Sequence, residues 1–362
     1  MSGDIRSMVM DPVGVLVVED GARQAEHPRA SRIDALEHIA NRPIAELVLD
    51  GLADAGVRDV VVVVPGELAQ DVREALVGGQ RSGAVRLRFV EQQGSLDFTG
   101  ALHSAAPLVG EAPCIIHPPA GLLAEPLTPL VDRLSPHAPD VLVLARREPD
   151  DRHGLRPGHL RGLHLVETDS VSTATSCIWL FGQHALRTIF AEPWRDTEGD
   201  DMAHAAELIA AAGGALRIRP VDDWSRYSGD PADLLELNRI ALDRLQPGPR
   251  PVAGQGNRID GCVRIHPTAS VQRSTLVGPV VVGAAARISD AYIGPYTSIG
   301  ARAQIDATEI ERSIIAEGAR IAHVGGRLMS SVVGPYAKVF RDFSLPRALR
   351  LRVGDGTKVR LY

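Results

Sequence analysis

Apolar β-branched residues recur every five or six positions through the last third of the chain: Ile265, Val271, Val277, Val282, Ile288, Ile293, Ile299, Ile305, Ile310, Ile315 and Ile321. A helix needs spacings of three and four and a plain strand a spacing of two, so neither accounts for this run. Glycine or small residues often follow, as in "VGAAAR", "IGPYTS" and "IGARAQ". Such hexapeptide repetition is the signature of a β-helix solenoid. Each inward Ile or Val packs on its counterpart one coil below, and the small residues permit sharp corners. The repeat ends before "RDFSLPRALRLRVGDGTKVRLY", a locally basic stretch expected to cap the solenoid.

The first 246 residues follow another rhythm, in which short β-branched runs alternate with helical patterns. Strands are expected at Val13–Val18, Val57–Val64, Val85–Val90, Pro113–Ile116, Val141–Ala145, Ser176–Phe181 and Leu216–Val221. Between the first two, Ile44, Leu47, Val48, Gly51, Leu52 and Ala55 repeat at helical spacing, and Gly56 stops the helix. "VRDVVVVV" is apolar on both faces, as a central parallel strand covered by helices would be. This βαβ layout predicts an α/β domain with an open parallel sheet, its ligands near the carboxyl ends of the strands. "PGPRPVAGQGN" (247–257) is too broken by proline and glycine for a helix or central strand, which makes it the expected linker between domains 1–246 and 258–362.

Composition narrows the function. A formal net charge of -6 argues against general nucleic-acid binding, which needs a basic face. Three cysteines, Cys114, Cys177 and Cys262, stand far apart with no C-x-x-C, so neither a disulfide framework nor a thiolate zinc site is indicated. No stretch approaches the roughly 20 apolar residues of a membrane helix, and the first residues lack a signal-peptide pattern. A cytoplasmic protein without membrane partners is expected.

Sheet domain, linker, solenoid and tail, in this order, make the chain similar to the long form of glucose-1-phosphate thymidylyltransferase, a sugar-1-phosphate nucleotidyltransferase. The likeness is closest in "IANRPIAELVLDGLADAGVRDVVVV", "FVEQQGSL", "DPADLLELNRIALDRL", "ISDAYIGPYTSIGARAQI" and "RLRVGDGTKVRL". The resemblance implies a Rossmann-like sheet domain followed by a left-handed β-helix. It also implies attack of a sugar-1-phosphate on the α-phosphate of a nucleoside triphosphate, a reaction that depends on positioning and on neutralising phosphate charge.

The chain departs from that family's motifs where the chemistry should be. The family's glycine-rich first loop, G-G-x-G-T-R, stands here as Glu19-Asp20-Gly21-Ala22-Arg23. At ~4 Å each carboxylate opposes a phosphate charge by about 1 kcal/mol in water and about 4 kcal/mol near a protein surface. The lysine expected seven positions before Asn41 is Asp34, with Arg32 the nearest substitute. In the base-recognition segment Gln92 and Leu96 match, but a glycine is Asp97. The two metal aspartates align with Ala120 and Tyr227, and the lysine of V-E-K-P falls at Thr168.

These replacements point to a catalytically degenerate homologue, a pseudoenzyme that acts as a binding, regulatory or scaffold protein. Its pocket is expected around Glu19, Asp20, Gly21, Arg23, Gln92, Asp97, Ala120 and Tyr227. A nucleotide or nucleotide sugar is the expected ligand, and a second copy or an active relative the expected partner. No cofactor is predicted, and Mg²⁺ only if nucleotidyl transfer is retained. Three other readings stand beside it. In a repurposed enzyme, Asp34 and His117 would be catalytic, with Glu19, Asp20, Asp97, His27, His38 and His103 in the same segments. A divergent active enzyme would use Arg23, Arg32 and Gln92. A solenoid acyltransferase would use His266.

Overall fold

Five consecutive valines leave a strand no polar face to turn to water, so both of its faces must be covered. The computed structural model describes residues 11–18, 33–79, 85–92, 98–131, 141–146, 178–191, 209, 211, 214, 216–221, 223–246 and 256–341. In it Val60 through Val64 are wholly buried. The chain forms two compact units: 1–36 with 45–224, and 37–44 with 225–362.

The first unit is built on a seven-stranded sheet of β1 (Val13–Val17), β2 (Asp59–Pro65), β3 (Arg86–Gln92), β4 (Cys114–His117), β5 (Val141–Arg146), β6 (Ile178–Phe181) and β7 (Leu216–Val221). Every strand expected from the sequence is present. Their order is 3-2-1-4-6-5-7. The expected all-parallel sheet needs one correction, because β6 runs antiparallel to both β4 and β5. Its four residues are all buried, and four buried apolar residues read the same in either direction.

The helices that cover this sheet are α1 (Ile44–Asp54), α2 (Ala69–Gly79), α3 (Phe98–Val109), the short α4 (Thr128–Val131) and α5 (Gln183–Ala191). On one face Val13, Val15, Val61 and Val63 share a core with Ala101, Leu102 and Ala105 of α3 and Leu186 and Ile189 of α5. On the other face α1 crosses β1 at Gly14, where a Cβ would lie 3.2 Å from Leu52 Cδ1 and 3.1 Å from Val60 Cγ2. Gly56 ends α1's turn with a φ of +88°, as its position after the helical pattern requires.

The second unit contains the solenoid, a left-handed parallel β-helix with three five-stranded sheets. Its interior is three vertical stacks. Ile259, Leu276, Ile293, Ile310 and Leu328 form the first. Ile265, Val282, Ile299, Ile315 and Val333 form the second. Val271, Ile288, Ile305, Ile321 and Val339 form the third. The sequence repeat named ten of these positions. Val277, the eleventh, pairs with Asp260 on the outward side, and wholly buried Leu276 takes the stack position instead.

The corners also differ from expectation. Arg273, Asp290, Ala307 and His323 hold one left-handed corner, and Ala285, Arg302 and Tyr336 another, all with φ between 45° and 58°. Backbone bonds between coils, such as Arg302 N to Ala284 O at 2.7 Å and Tyr336 N to Glu317 O at 2.8 Å, hold these non-glycine residues in place. Glycine is needed for close approach instead. A Cβ on Gly300 would lie 2.6 Å from the backbone nitrogen of Glu317 in the next coil.

Two segments that precede the proline- and glycine-rich break belong to this unit: a hairpin, His38–Ile39 with Arg42–Pro43, and α6 (Pro231–Asp243). Positions 247–255 of the break lie outside the described residues. Asp230 caps α6 by accepting from Ala232 N at 2.8 Å, with Pro231 in the first turn. The physical reason for the grouping is the outward face of the second solenoid sheet. Val281, Ser298 and Ile314 alternate with the inward stack yet are 8%, 1% and 6% exposed. Asn238 on α6 accepts from Ser298 Oγ at 2.6 Å and from Ala40 N at 2.9 Å, and donates to Tyr296 O at 3.1 Å. The hairpin turn, with Ala40 and Asn41 at φ 47° and 64°, sends Asn41 Nδ2 to Ile299 O at 2.7 Å. The tail from 342 onward, expected as a cap, lies outside the described residues.

Candidate functional site

Strand order reverses at β1, whose neighbours are β2 on one side and β4 on the other. Open α/β sheets bind ligands at the carboxyl edge of such a switch point. That edge carries Val17 and Val18 at the end of β1, Gln92 at the end of β3 and His117 at the end of β4. Leu16 pairs with His117 and with Val62, so β2 and β3, whose ends pair at Pro65 and Gln92, run three residues beyond the end of β4. Of the sequence-predicted pocket, Glu19, Asp20, Gly21, Arg23 and Asp97 lie outside the described residues, as do His27, Arg32, Thr168 and Cys177.

The described candidates do not gather into one acid–base cluster. Asp34 opens a short helical turn, Asp34–Leu36, and is half-buried. His117 is only 3% exposed. Its Nδ1 lies 2.8 Å from Pro118 O, and its ring stands edge-on to Trp224 at 5.6 Å between centroids. This is the setting of a core histidine, held by a carbonyl on one side and an indole on the other. His103 lies edge-on to Phe190, 6.0 Å away, between α3 and α5. His38 is an exposed hairpin residue. His266 sits at a solenoid corner, where its Nδ1 accepts from Thr268 N at 3.2 Å while Thr268 Oγ1 accepts from Ala285 N of the next coil at 2.9 Å. Among the described residues no three His, Cys, Asp or Glu side chains gather where they could hold a metal ion. Cys114 is wholly buried, which pushes its thiol well above the ordinary cysteine range and leaves it unreactive.

No protein-family model matches the chain. Glucose-1-phosphate thymidylyltransferases of Streptomyces griseus and Streptomyces antibioticus are 25% and 27% identical to it. Those alignments cover 89% and 94% of the chain and 92% and 96% of the relatives. The chain is a homologue of the glucose-1-phosphate thymidylyltransferases. A low-salt glycan biosynthesis nucleotidyltransferase, Agl11 of Haloferax volcanii, is 25% identical over 89% of the chain and 92% of its own length. A solved Bacillus anthracis structure, assigned to the same enzyme and holding sucrose, aligns with a TM-score of 0.50. It covers 66% of this chain and 97% of its own at 14% identity, a likeness of fold.

The two residues expected from the sequence at the metal-binding aspartates, Ala120 and Tyr227, are both buried. Ala120 is 5% exposed in the turn after β4, where Gly121 N bonds Pro118 O at 3.2 Å. Tyr227 is 3% exposed. Mg²⁺ takes oxygen ligands, chiefly carboxylates, phosphates and water. Neither the buried Ala120 methyl nor the buried Tyr227 phenol brings a carboxylate to Mg²⁺.

Asn41, within the "IANRP" stretch of closest likeness, donates to the Ile299 carbonyl of the solenoid. Sequence reasoning missed this hairpin–helix–solenoid clamp. Its signal is the doubled apolar residues at Val280-Val281-Val282, Ile314-Ile315 and Val332-Val333, where an uncovered coil would alternate.

Proposed function

We propose that this homologue has given up metal-dependent nucleotidyl transfer and works as a binding, regulatory or scaffold protein built on the nucleotidyltransferase fold. The observation that carries this reading is the burial of Ala120 and Tyr227, the residues expected from the sequence where the family has its metal-ligand carboxylates. An exposed substitution could be offset by water or a neighbouring acid. A buried one leaves the ion without ligands. Gln92 lies level with the end of β2, which supports a retained concavity for a nucleotide or nucleotide sugar.

A second reading, a divergent but active enzyme, draws on the thymidylyltransferase relatives, aligned over about nine-tenths of the chain. Thermal melts separate the two. A ligand at ~100 times its Kd adds about 2.7 kcal/mol, which moves a domain of this size by several degrees. The proposal expects no Mg²⁺-dependent shift with any nucleoside triphosphate, and a Mg²⁺-independent shift with a nucleotide sugar. A triphosphate shift that requires Mg²⁺, accompanied by pyrophosphate release when a sugar-1-phosphate is added, would overturn it. Association with a second copy or an active relative belongs to the same proposal and is read by light scattering of the two mixed proteins.

A further inference from the structure

The outward face of the third solenoid sheet carries an unbalanced positive column. Ser270, Arg287, Gln304, Arg320 and Lys338 are successive register partners there. Elsewhere on the solenoid, arginines are matched with acids: Arg258 with Asp260, Arg273 with Asp290, Arg302 with Glu317, and Arg327 with Glu309 and Glu311. Arg287, Arg320 and Lys338 are exposed and have no acidic partner among the described residues. In a chain of net charge -6 this is a local reversal of sign.

Shape and chemistry add to the charge. A shallow cavity of about 270 Å³ lies on this face, lined in part by Arg287, Ser289, Gln304, Asp306 and Arg320. Asp306 is already engaged, accepting from Ser289 Oγ at 2.6 Å and facing His323 Nε2 at 3.4 Å. Arg287 and Arg320 sit two strands apart, about 10 Å at the usual strand spacing, with the Gln304 amide between them. At the end of the same face Phe340 alternates with inward Val339 and is 44% exposed. Its ring shares the face with the Lys338 side chain.

We propose that this face binds a nucleoside diphosphate, with Arg287 and Arg320 on the phosphates and Phe340 beneath the base. Guanidinium groups bind phosphate oxygens through paired N–H donors, and an exposed ring offers a stacking surface for any base. The residues of this face all belong to the second unit.

Equilibrium dialysis of the full chain with ADP, and separately with pyrophosphate, tests the proposal. Saturable ADP binding is expected, weakened at least about tenfold in Arg287→Ala/Arg320→Ala, the loss of two charge-assisted contacts. Gln304→Glu, which adds a like charge without truncation, should weaken both ligands at an unchanged Tm. Phe340→Ala should weaken ADP and leave pyrophosphate as it was. Absence of saturable ADP binding, or binding by the double-arginine variant within about twofold of the parent, would overturn the proposal. So would unchanged ADP affinity together with an altered particle size, which would make the face a self-association surface.

Discussion

The sheet unit and the solenoid unit hold their shape in different ways. In the sheet unit, stability is concentrated around a few buried strands, and Val60 through Val64 serve two faces at once. Gln92 and His117 stand at the ends of its strands. In the solenoid, the same small set of contacts repeats along three stacks, with no central strand on which everything rests. A sheet with its function at one edge can exchange edge residues and keep its fold. A solenoid can change outward residues, but each inward position has a neighbour above and below.

The largest expected effect tests the stacking. Ile305 is 1% exposed between Ile288 and Ile321, and Ile305→Ala should cost about 2–5 kcal/mol. The loss should appear in urea melts as destabilisation of the second unit, with the sheet unit's transition unmoved. A loss shared equally by both units would break the distinction.

Asn238→Ala comes next. It leaves Ala40 N, Ser298 Oγ and Tyr296 O without their partner in a buried site, at about 1–3 kcal/mol for each group that water cannot reach. A total near 3 kcal/mol in the second unit's transition is expected. A negligible loss would mean that α6 and the hairpin merely lie beside the solenoid.

At the strand edge, His117→Ala should behave as a packing change. The His117 ring fills space against Trp224, so stability should fall by about 1–3 kcal/mol while nucleotide-sugar affinity stays within about twofold. Loss of affinity at unchanged stability would return His117 to the list of functional groups.

The smallest effect concerns the exposed Arg273–Asp290 pair. Arg273 donates to both carboxylate oxygens, at 2.7 and 2.5 Å, and holds Asp290 below its ordinary value. A depressed carboxylate contributes stability above its unfolded pKa and loses it as pH falls through the lower folded value. Arg273→Ala should therefore raise the Asp290 midpoint in an NMR titration while stability near neutral pH hardly moves, since exposed pairs contribute little.

Much of the scaffold was legible in the sequence because burial leaves a periodic mark. Val13, Val141 and Leu216 lie in runs that only strands bury well, and the Ile288–Ile305–Ile321 stack repeats too regularly for another architecture. What the sequence hid has physical causes. Strand direction leaves no trace in Ile178–Phe181, buried on both sides. The attachment of α6 to the solenoid depends on side chains such as Asn238, whose partners are 58 to 198 residues away. His117 reads as a catalytic candidate because sequence does not show Trp224 packing against its ring. Ala120 and Tyr227 are expected at the metal positions from the sequence, and only the fold shows that both are buried.

The central claim, that the scaffold persists without metal-dependent transfer, is tested most directly by pyrophosphate release from the purified full-length protein. Glucose 1-phosphate, dTTP and Mg²⁺ would be supplied together, with the other nucleoside triphosphates in parallel. The account predicts release no faster than in the protein-free control for every triphosphate. Sustained turnover that disappears with EDTA and yields a nucleotide sugar would contradict it.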